Sequence, residues 1–254
     1  MHLHIATFAE RPDLAVRAWD SAFRSGWPTF VAGDLVAEVY YERFFHDHRP
    51  FDDFALTAFD EDAGEVVARA FSVPFAFGGD FGRSELPAGG WDEVVCWADD
   101  DEKAGRVPTA VSAIEVNVRP DARGRALSGV MLNALRDNAR RRGFADLYAP
   151  VRPNAKHLEP HAAMREYAFR TRQDGLPVDP WLRVHVRAGG RIVGVAPRSM
   201  TVSGSLEQWR AWTGLPFDAD GDVIVPGALV PVKVSAEHGY AVYVEPNVWV
   251  HHRL

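Results

Sequence analysis

Glu115 and Asn117 are the residues best placed to do chemistry. They alternate with Ile114, Val116 and Val118 in a run that reads as a strand, with the carboxylate and amide on one face and the three apolar side chains on the other. Neighbouring polar groups on a central strand are costly to bury without a purpose. A carboxylate there serves as a general base when its pKa is raised toward neutrality; its structural alternative is an ion pair with Arg119 or Arg123. The strand ends at Pro120, and Arg123-Gly124-Arg125 follow. Apolar residues at Leu127, Val130, Met131, Ala134 and Leu135 then mark an amphipathic helix. A tight basic turn at a helix start leaves backbone N–H groups unpaired in a positive potential, so a phosphate or pyrophosphate is its natural ligand. The turn lacks the G-x-G-x-x-G of a dinucleotide-binding loop.

Arg123-Gly124-Arg125-Ala126-Leu127-Ser128 resembles the acyl-CoA-binding turn of the GNAT superfamily of N-acyltransferases, whose pattern is Arg/Gln-x-x-Gly-x-Gly/Ala after a strand ending in x-Val-x-Pro. Ala126 and Ser128 stand where that family prefers Gly and Gly/Ala, and both are small, as close approach of a phosphate to the backbone requires. A second match lies at 181–195. Gly189 suits the left-handed residue that closes a helix, and Arg191-Ile192-Val193-Gly194-Val195 suits the next strand. His185 falls where the family places a Tyr that often protonates the departing thiolate, and His is the commonest general acid or base.

The resemblance covers roughly residues 55–200. It implies an α/β (α+β mixed-sheet) fold, with a GNAT-like central twisted mixed sheet, helices on both faces and a C-terminal strand extension. It also implies acetyl-CoA or another acyl-CoA as co-substrate, no metal, and a small-molecule amine acceptor that attacks the thioester directly. The family's roles carry over to Glu115 as base and His185 as acid. Val116 and Val118 would offer backbone groups to pantetheine, and the N–H groups of Arg123, Gly124, Arg125, Ala126, Leu127 and Ser128 would hold the pyrophosphate. Asn154 would bond the pantetheine arm or the acceptor, although Arg152-Pro153-Asn154 also reads as a turn. A non-catalytic CoA-binding or protein-interaction module on the same fold is the alternative, favoured by the substituted turn and the missing Tyr.

Composition bounds the rest. The 254 residues are 47% apolar and 25% charged, ordinary for a globular chain able to bury a sizeable core. A net charge of −7 argues against nucleic acid or an anionic membrane as the main partner. Arg140-Arg141-Arg142, at the end of the expected helix 126–142, complements the helix dipole. Cys96 is the only cysteine, so no intrachain disulfide forms, and the acidic residues around it disfavour a thiolate. No secretory leader and no membrane-spanning run is read, which predicts a cytoplasmic protein. His46-x-His48, His157-x-x-x-His161 and His251-His252 are the closest histidine groupings; Pro160 interrupts the second, and no metal site is expected.

Hydrophobic periodicity places strands at 3–8, 54–59, 65–77, 110–118 and 145–151, and helices at 13–23, 34–45 and 126–142. Residues 78–108, rich in Gly, Asp and Pro, read as loop. Residues 152–179 read as an insertion with a helix at 159–171 that could shape an acceptor pocket. The extension 199–254 carries a helix at 206–213 and strands near 223–225, 228–235 and 240–244 that complete the sheet of a single domain. A strand of this extension offers an edge through which a homodimer could pair.

Overall fold

A computed structural model describes residues 2–23, 26–47 and 49–254. Nine strands form one sheet: β1 (Leu3–Thr7), β2 (Ala55–Asp60), β3 (Glu65–Phe75), β4 (Ala110–Val118), β5 (Asp146–Val151), β6 (Arg191–Ser205), β7 (Gly221–Val223), β8 (Val232–Ser235) and β9 (Tyr240–Arg253). Their order is β1-β2-β3-β4-β5-β9-β8-β7, and β6 pairs along the other side of β9. Among the described residues, only the β4–β5 pair is parallel. The helices are α1 (Pro12–Arg17), α2 (Leu35–Glu42), α3 (Gly90–Ala104), α4 (Leu127–Arg141), α5 (Met164–Ala168), α6 (Pro180–Arg187) and α7 (Leu206–Thr213).

Each face of the sheet has its own core. On one, Met131, Leu135, Tyr167 and Leu182 of α4, α5 and α6 pack against Leu56, Val111, Ala149 and Val250. On the other, Ala15, Phe44, Phe45, Trp91, Val94 and Val95 cover Phe71, Val73, Phe75 and Trp249. A third cluster, with Phe30, Trp209, Phe217 and Tyr243, ties the C-terminal extension to the N-terminal region. Truncating a buried Leu such as Leu135 to Ala would cost about 2–5 kcal/mol. No helix among the described residues is long and apolar enough to cross a membrane.

Several elements depart from the sequence-based expectation. The region 78–108 is not all loop, because it holds the 15-residue helix α3. Trp91, Val94, Val95 and Ala98 are its buried stripe, masked in the sequence by a Gly-rich start and an acid-rich solvent side. Gly90, with φ +47°, lets α3 start directly on β6: a Cβ there would sit 2.2 Å from Ser199 Oγ. The helix expected at 13–23 ends at Arg17, and the one expected at 159–171 shrinks to α5. The strand expected at 240–244 runs on through Trp249 as the 14-residue β9, with neighbours on both sides, and the edge strand of the C-terminal extension is β7.

Candidate active site

β4 and β5 pair only at Val111–Leu147 and Ser112–Tyr148. Beyond Ser112 they part, and β5 no longer takes up the facing backbone groups of residues 113–118, those of Val116 and Val118 included. At the parting point β4 carries a bulge, where its register with β3 passes from Ser72–Ala113 to Phe71–Glu115 and skips Ile114. Simple alternation puts Ile114 beside Val116 and Val118. The bulge turns it over. Ile114 packs in the core of Phe71 and Trp91, while Val116 and Val118 pack in the opposite one. The Ile114 carbonyl accepts the Trp91 indole N–H at 2.8 Å.

The side chain of Glu115, only 5% exposed, lies on the α2 side of the sheet. Its Oε1 accepts from Arg69 Nε at 2.6 Å and its Oε2 accepts from the Tyr41 hydroxyl at 2.7 Å. Arg69 in turn lies over the rings of Trp19, Phe23 and Phe71 and donates to the Ala18 carbonyl at 2.8 Å. Burial, reinforced by the Glu115 charge, holds the proton firmly on Tyr41, whose ring stacks on Trp91 with centroids 5.8 Å apart. The two arginines considered as partners of Glu115 are elsewhere: Arg119 pairs with Glu65 and Asp121, and a Cβ on Gly26 would sit 2.4 Å from Arg123 Nη2. Asn117 donates to the Phe23 carbonyl at 2.9 Å, a structural bond.

The basic turn leads from β4 into α4. Gly124 (φ +82°) and Ala126 (φ +58°) are both left-handed. Ala in that conformation costs about 1–2 kcal/mol, which is why a Gly is the easier residue there. Ala126 is the N-cap of α4 and supplies no side-chain cap, so the Leu127 and Ser128 N–H groups have no intrahelical partner. Asn154 is exposed in the loop after β5.

His185 is only 2% exposed, between α6 and β9. Its Nδ1 lies 3.0 Å from His252 Nε2, and the Trp181 ring meets it edge-on at 4.6 Å. Burial, with His252 beside it, pushes its imidazolium well below the ordinary range; burial likewise brings His252 to about 4. Both rings are therefore neutral near pH 7. His251 is engaged by Asp146 at 2.7 Å and stacks on Tyr148. His48 lies outside the described residues. Among the described residues, no group of three or more His, Cys, Asp or Glu side chains is placed to hold a metal ion. Cys96 is half-buried, and burial pushes its thiol up.

Three carboxylates that sequence reasoning passed over converge beside the bulge. Asp34, 1% exposed, caps α2 by accepting from the Val36 N–H at 3.0 Å through Oδ1; its Oδ2 has no partner. Asp92 follows Trp91 in the first turn of α3; its Oδ2 accepts from the Thr201 N–H at 3.1 Å, and its buried Oδ1 has no partner. Glu245 of β9 is fully buried but satisfied, by Arg152 at 2.9 and 3.1 Å, Tyr243 at 2.6 Å and Asn247 at 3.0 Å. Burial first, and then the neighbouring carboxylates, raise Asp34 to about 6 and Asp92 to about 8. Asp34 could have been singled out as a helix cap, but no local pattern marks the set, which comes from three distant elements.

No protein-family model matches the chain. An arginine N-acetyltransferase of Aspergillus versicolor, avaD, is 32% identical over 276 aligned positions, spanning 98% of this chain and 93% of that protein. Among solved structures, the loading GNAT-like domain of CurA from Lyngbya majuscula superposes with a TM-score of 0.56 at 14% identity, over 100% of this chain and 98% of the domain. The GphF GNAT-like decarboxylase in complex with isobutyryl-CoA gives a TM-score of 0.49 at 17% identity, over 100% and 99%.

Proposed function

Because the chain belongs to the GNAT superfamily of acyl-CoA-dependent N-acyltransferases, we propose that it transfers an acetyl group from acetyl-CoA to a nitrogen of arginine or a closely similar small cationic amine. The observation that carries the cofactor half of this proposal is the parting of β4 and β5 just above the basic turn. The acceptor half rests on the likeness to the arginine N-acetyltransferase over nearly the whole chain.

The residues present fit an acyl-CoA. The freed backbone of Val116 and Val118 would bond the pantetheine amides as an added strand would. The N–H groups of Leu127 and Ser128, with the turn Arg123-Gly124-Arg125-Ala126, would hold the pyrophosphate at the helix N-terminus. Asn154, exposed after β5, would reach the pantetheine arm. Bound acyl-CoA supplies an activated carbonyl and a thiolate leaving group.

Tyr41 and Glu115 form the proton path. The acceptor nitrogen must lose a proton as its C–N bond forms and the thioester C–S bond breaks. Tyr41 Oη takes that proton while its own passes to Glu115 Oε2 across the 2.7 Å bond, and Arg69 keeps the carboxylate aimed. His185 is better suited to positioning α6 against β9 than to giving up a proton, because it carries no imidazolium at neutral pH.

The test is thiol release from acetyl-CoA with and without L-arginine, alongside calorimetric titration with acetyl-CoA. Amine-dependent thiol release, with acetyl-CoA affinity at least ~10-fold weaker in an Arg123→Ala, Arg125→Ala variant, is the expected result. Thiol release indifferent to any amine, or an unchanged affinity in the variant, would overturn it.

A further inference from the structure

The bulge on β4 is flanked by an unusual electrostatic arrangement. Asp34 and Asp92 approach the same stretch of β6 from two helices. Asp92 accepts from the Thr201 N–H, and Gly33, beside Asp34, sits so close to the next residue that a Cβ on it would lie 3.1 Å from Val202 Cγ1. Glu245 faces the adjoining rung, since Met200 pairs with it and Thr201 with Val244. Each of the two aspartates has one buried oxygen without a partner. A buried acceptor left unmatched is destabilising, and two carboxylates close together compound the penalty.

The cations nearby are already engaged. Arg152 is held by Glu245 and by the Gly227 carbonyl, at 2.6 Å. Arg69 is held by Glu115. Arg198, 61% exposed, reaches Glu93 at 3.3 Å. Among the described residues, none pairs with Asp34 or Asp92. The site also adjoins the reaction centre. Trp91, the residue before Asp92, is bonded to the bulge carbonyl and stacked on Tyr41, and α2, which Asp34 caps, carries Tyr41.

We propose that Asp34 and Asp92, backed by Glu245, are the recognition site for the cationic group of the acceptor, and that this group is a guanidinium. The partnerless oxygen on each of two carboxylates suits a planar fork of N–H donors better than the point charge of an ammonium. The inference rests on the proposed arginine-like acceptor and assigns the residues that select it. A bound guanidinium would favour the ionised carboxylates, so near pH 7 its binding releases a proton, mainly from Asp92.

Asp34→Asn and Asp92→Asn, combined, keep the acceptors for the Val36 and Thr201 N–H groups and remove only the capacity to ionise. Acetyl-CoA affinity, read by calorimetry, reports that the variant is folded. The expected result is an L-arginine KM raised about 100-fold, with L-citrulline, its neutral isostere, used equally poorly by both proteins. The binding heats of L-arginine on the CoA-loaded wild type in phosphate and in Tris should differ by the difference between the two buffers' ionisation heats times close to one released proton, a difference absent from the variant. A folded variant with unchanged arginine KM and proton release would overturn the assignment while leaving the acyltransferase reaction standing. Arginine binding by the wild type that is lost in the variant, without any acyl transfer, would instead uphold the site and sink the proposed reaction.

Discussion

The two ends of α3 treat their inward-facing carboxylates in opposite ways. Near its C-terminus, Asp99 is held by Arg43 and by Lys103 at 2.5 Å, and Asp101 by Arg83 at 2.6 Å, Arg106 at 2.9 Å and the Ala76 N–H at 2.6 Å. Burial alone would raise Asp99, but Lys103 and Arg43 bring it below its ordinary value. In the first turn, Asp92 has one backbone N–H and no ion-pair partner, and burial raises it to about 8 against the weaker pull of Arg198. Seven residues of one helix separate a carboxylate the fold has paired with cations from one it has left unpaired. Leaving one open beside Tyr41 and the β4 bulge is what a site reserved for a cationic ligand requires, and the saturated end shows what a purely structural acid looks like here.

That contrast predicts stability effects of opposite sign. Arg83→Ala strips Asp101 of its 2.6 Å partner and Trp97 of the cation over its ring, and should destabilise the protein by about 3 kcal/mol in urea unfolding. A loss below ~1 kcal/mol would mean that Arg106 alone neutralises Asp101 and that the two ends differ less than their geometry suggests. Glu115→Gln interrupts the proposed proton path while keeping an acceptor for Tyr41. It should lower kcat by about 100- to 1000-fold with acetyl-CoA affinity unchanged. A kcat within threefold of wild type would reduce Glu115 to a structural partner of Arg69.

Asp92→Asn should act in the other direction from Arg83→Ala. The folded protein keeps the Asp92 proton up to about pH 8, whereas the unfolded chain loses it near pH ~4. Folded protein therefore binds more protons across that window, and stability present below pH ~4 is lost as pH rises through about 8. Removing the titrating group should flatten the profile and raise Tm at pH 8 by roughly 2–6 °C, allowing for solvent screening of a partly exposed group. A melting profile as steep as that of the wild type would show that Asp92 is not the strained group. The same measurement on Asp34→Asn should show a smaller flattening, confined to the region below about pH 6.

The sequence exposes the half of the site that is built locally. The strand 110–118, the basic turn and the helix beginning at Leu127 are contiguous, so the change of hydrophobic period and the small residues of the turn reveal them together. Two features of that segment stay hidden. The bulge at Ile114 depends on the register with β3, and the left-handed Ala126 carries no glycine to announce it. The acceptor half is assembled across the chain: Glu115 meets Arg69 46 residues away and Tyr41 74 residues away, and Asp92 bonds Thr201 109 residues away. No periodicity encodes such a meeting. α3 is hidden in the sequence for a related reason, because its stripe of Trp91, Val94, Val95 and Ala98 is diluted by the acids that make its two ends different.

His185 offers the smallest effect and a separate check on the division between charge kept for function and polarity kept for packing. The sequence resemblance sets it where the family has its Tyr, yet it is sealed against His252 and proton-poor, with the Gly190 N–H on its own carbonyl at 2.9 Å closing α6. If its role is to seat α6 on β9, His185→Gln should cost about 1–2 kcal/mol, leave kcat within about threefold of wild type and leave the pH–rate profile unshifted. An acid that protonates the thiolate would behave differently: its loss would lower kcat at least tenfold and remove a limb of that profile. Since the imidazolium is disfavoured by burial and not by a lost partner, restoring the family's Tyr at this position should raise kcat only if the hydroxyl reaches the departing sulfur, and stopped-flow thiol release from the His185→Tyr variant would detect that gain directly.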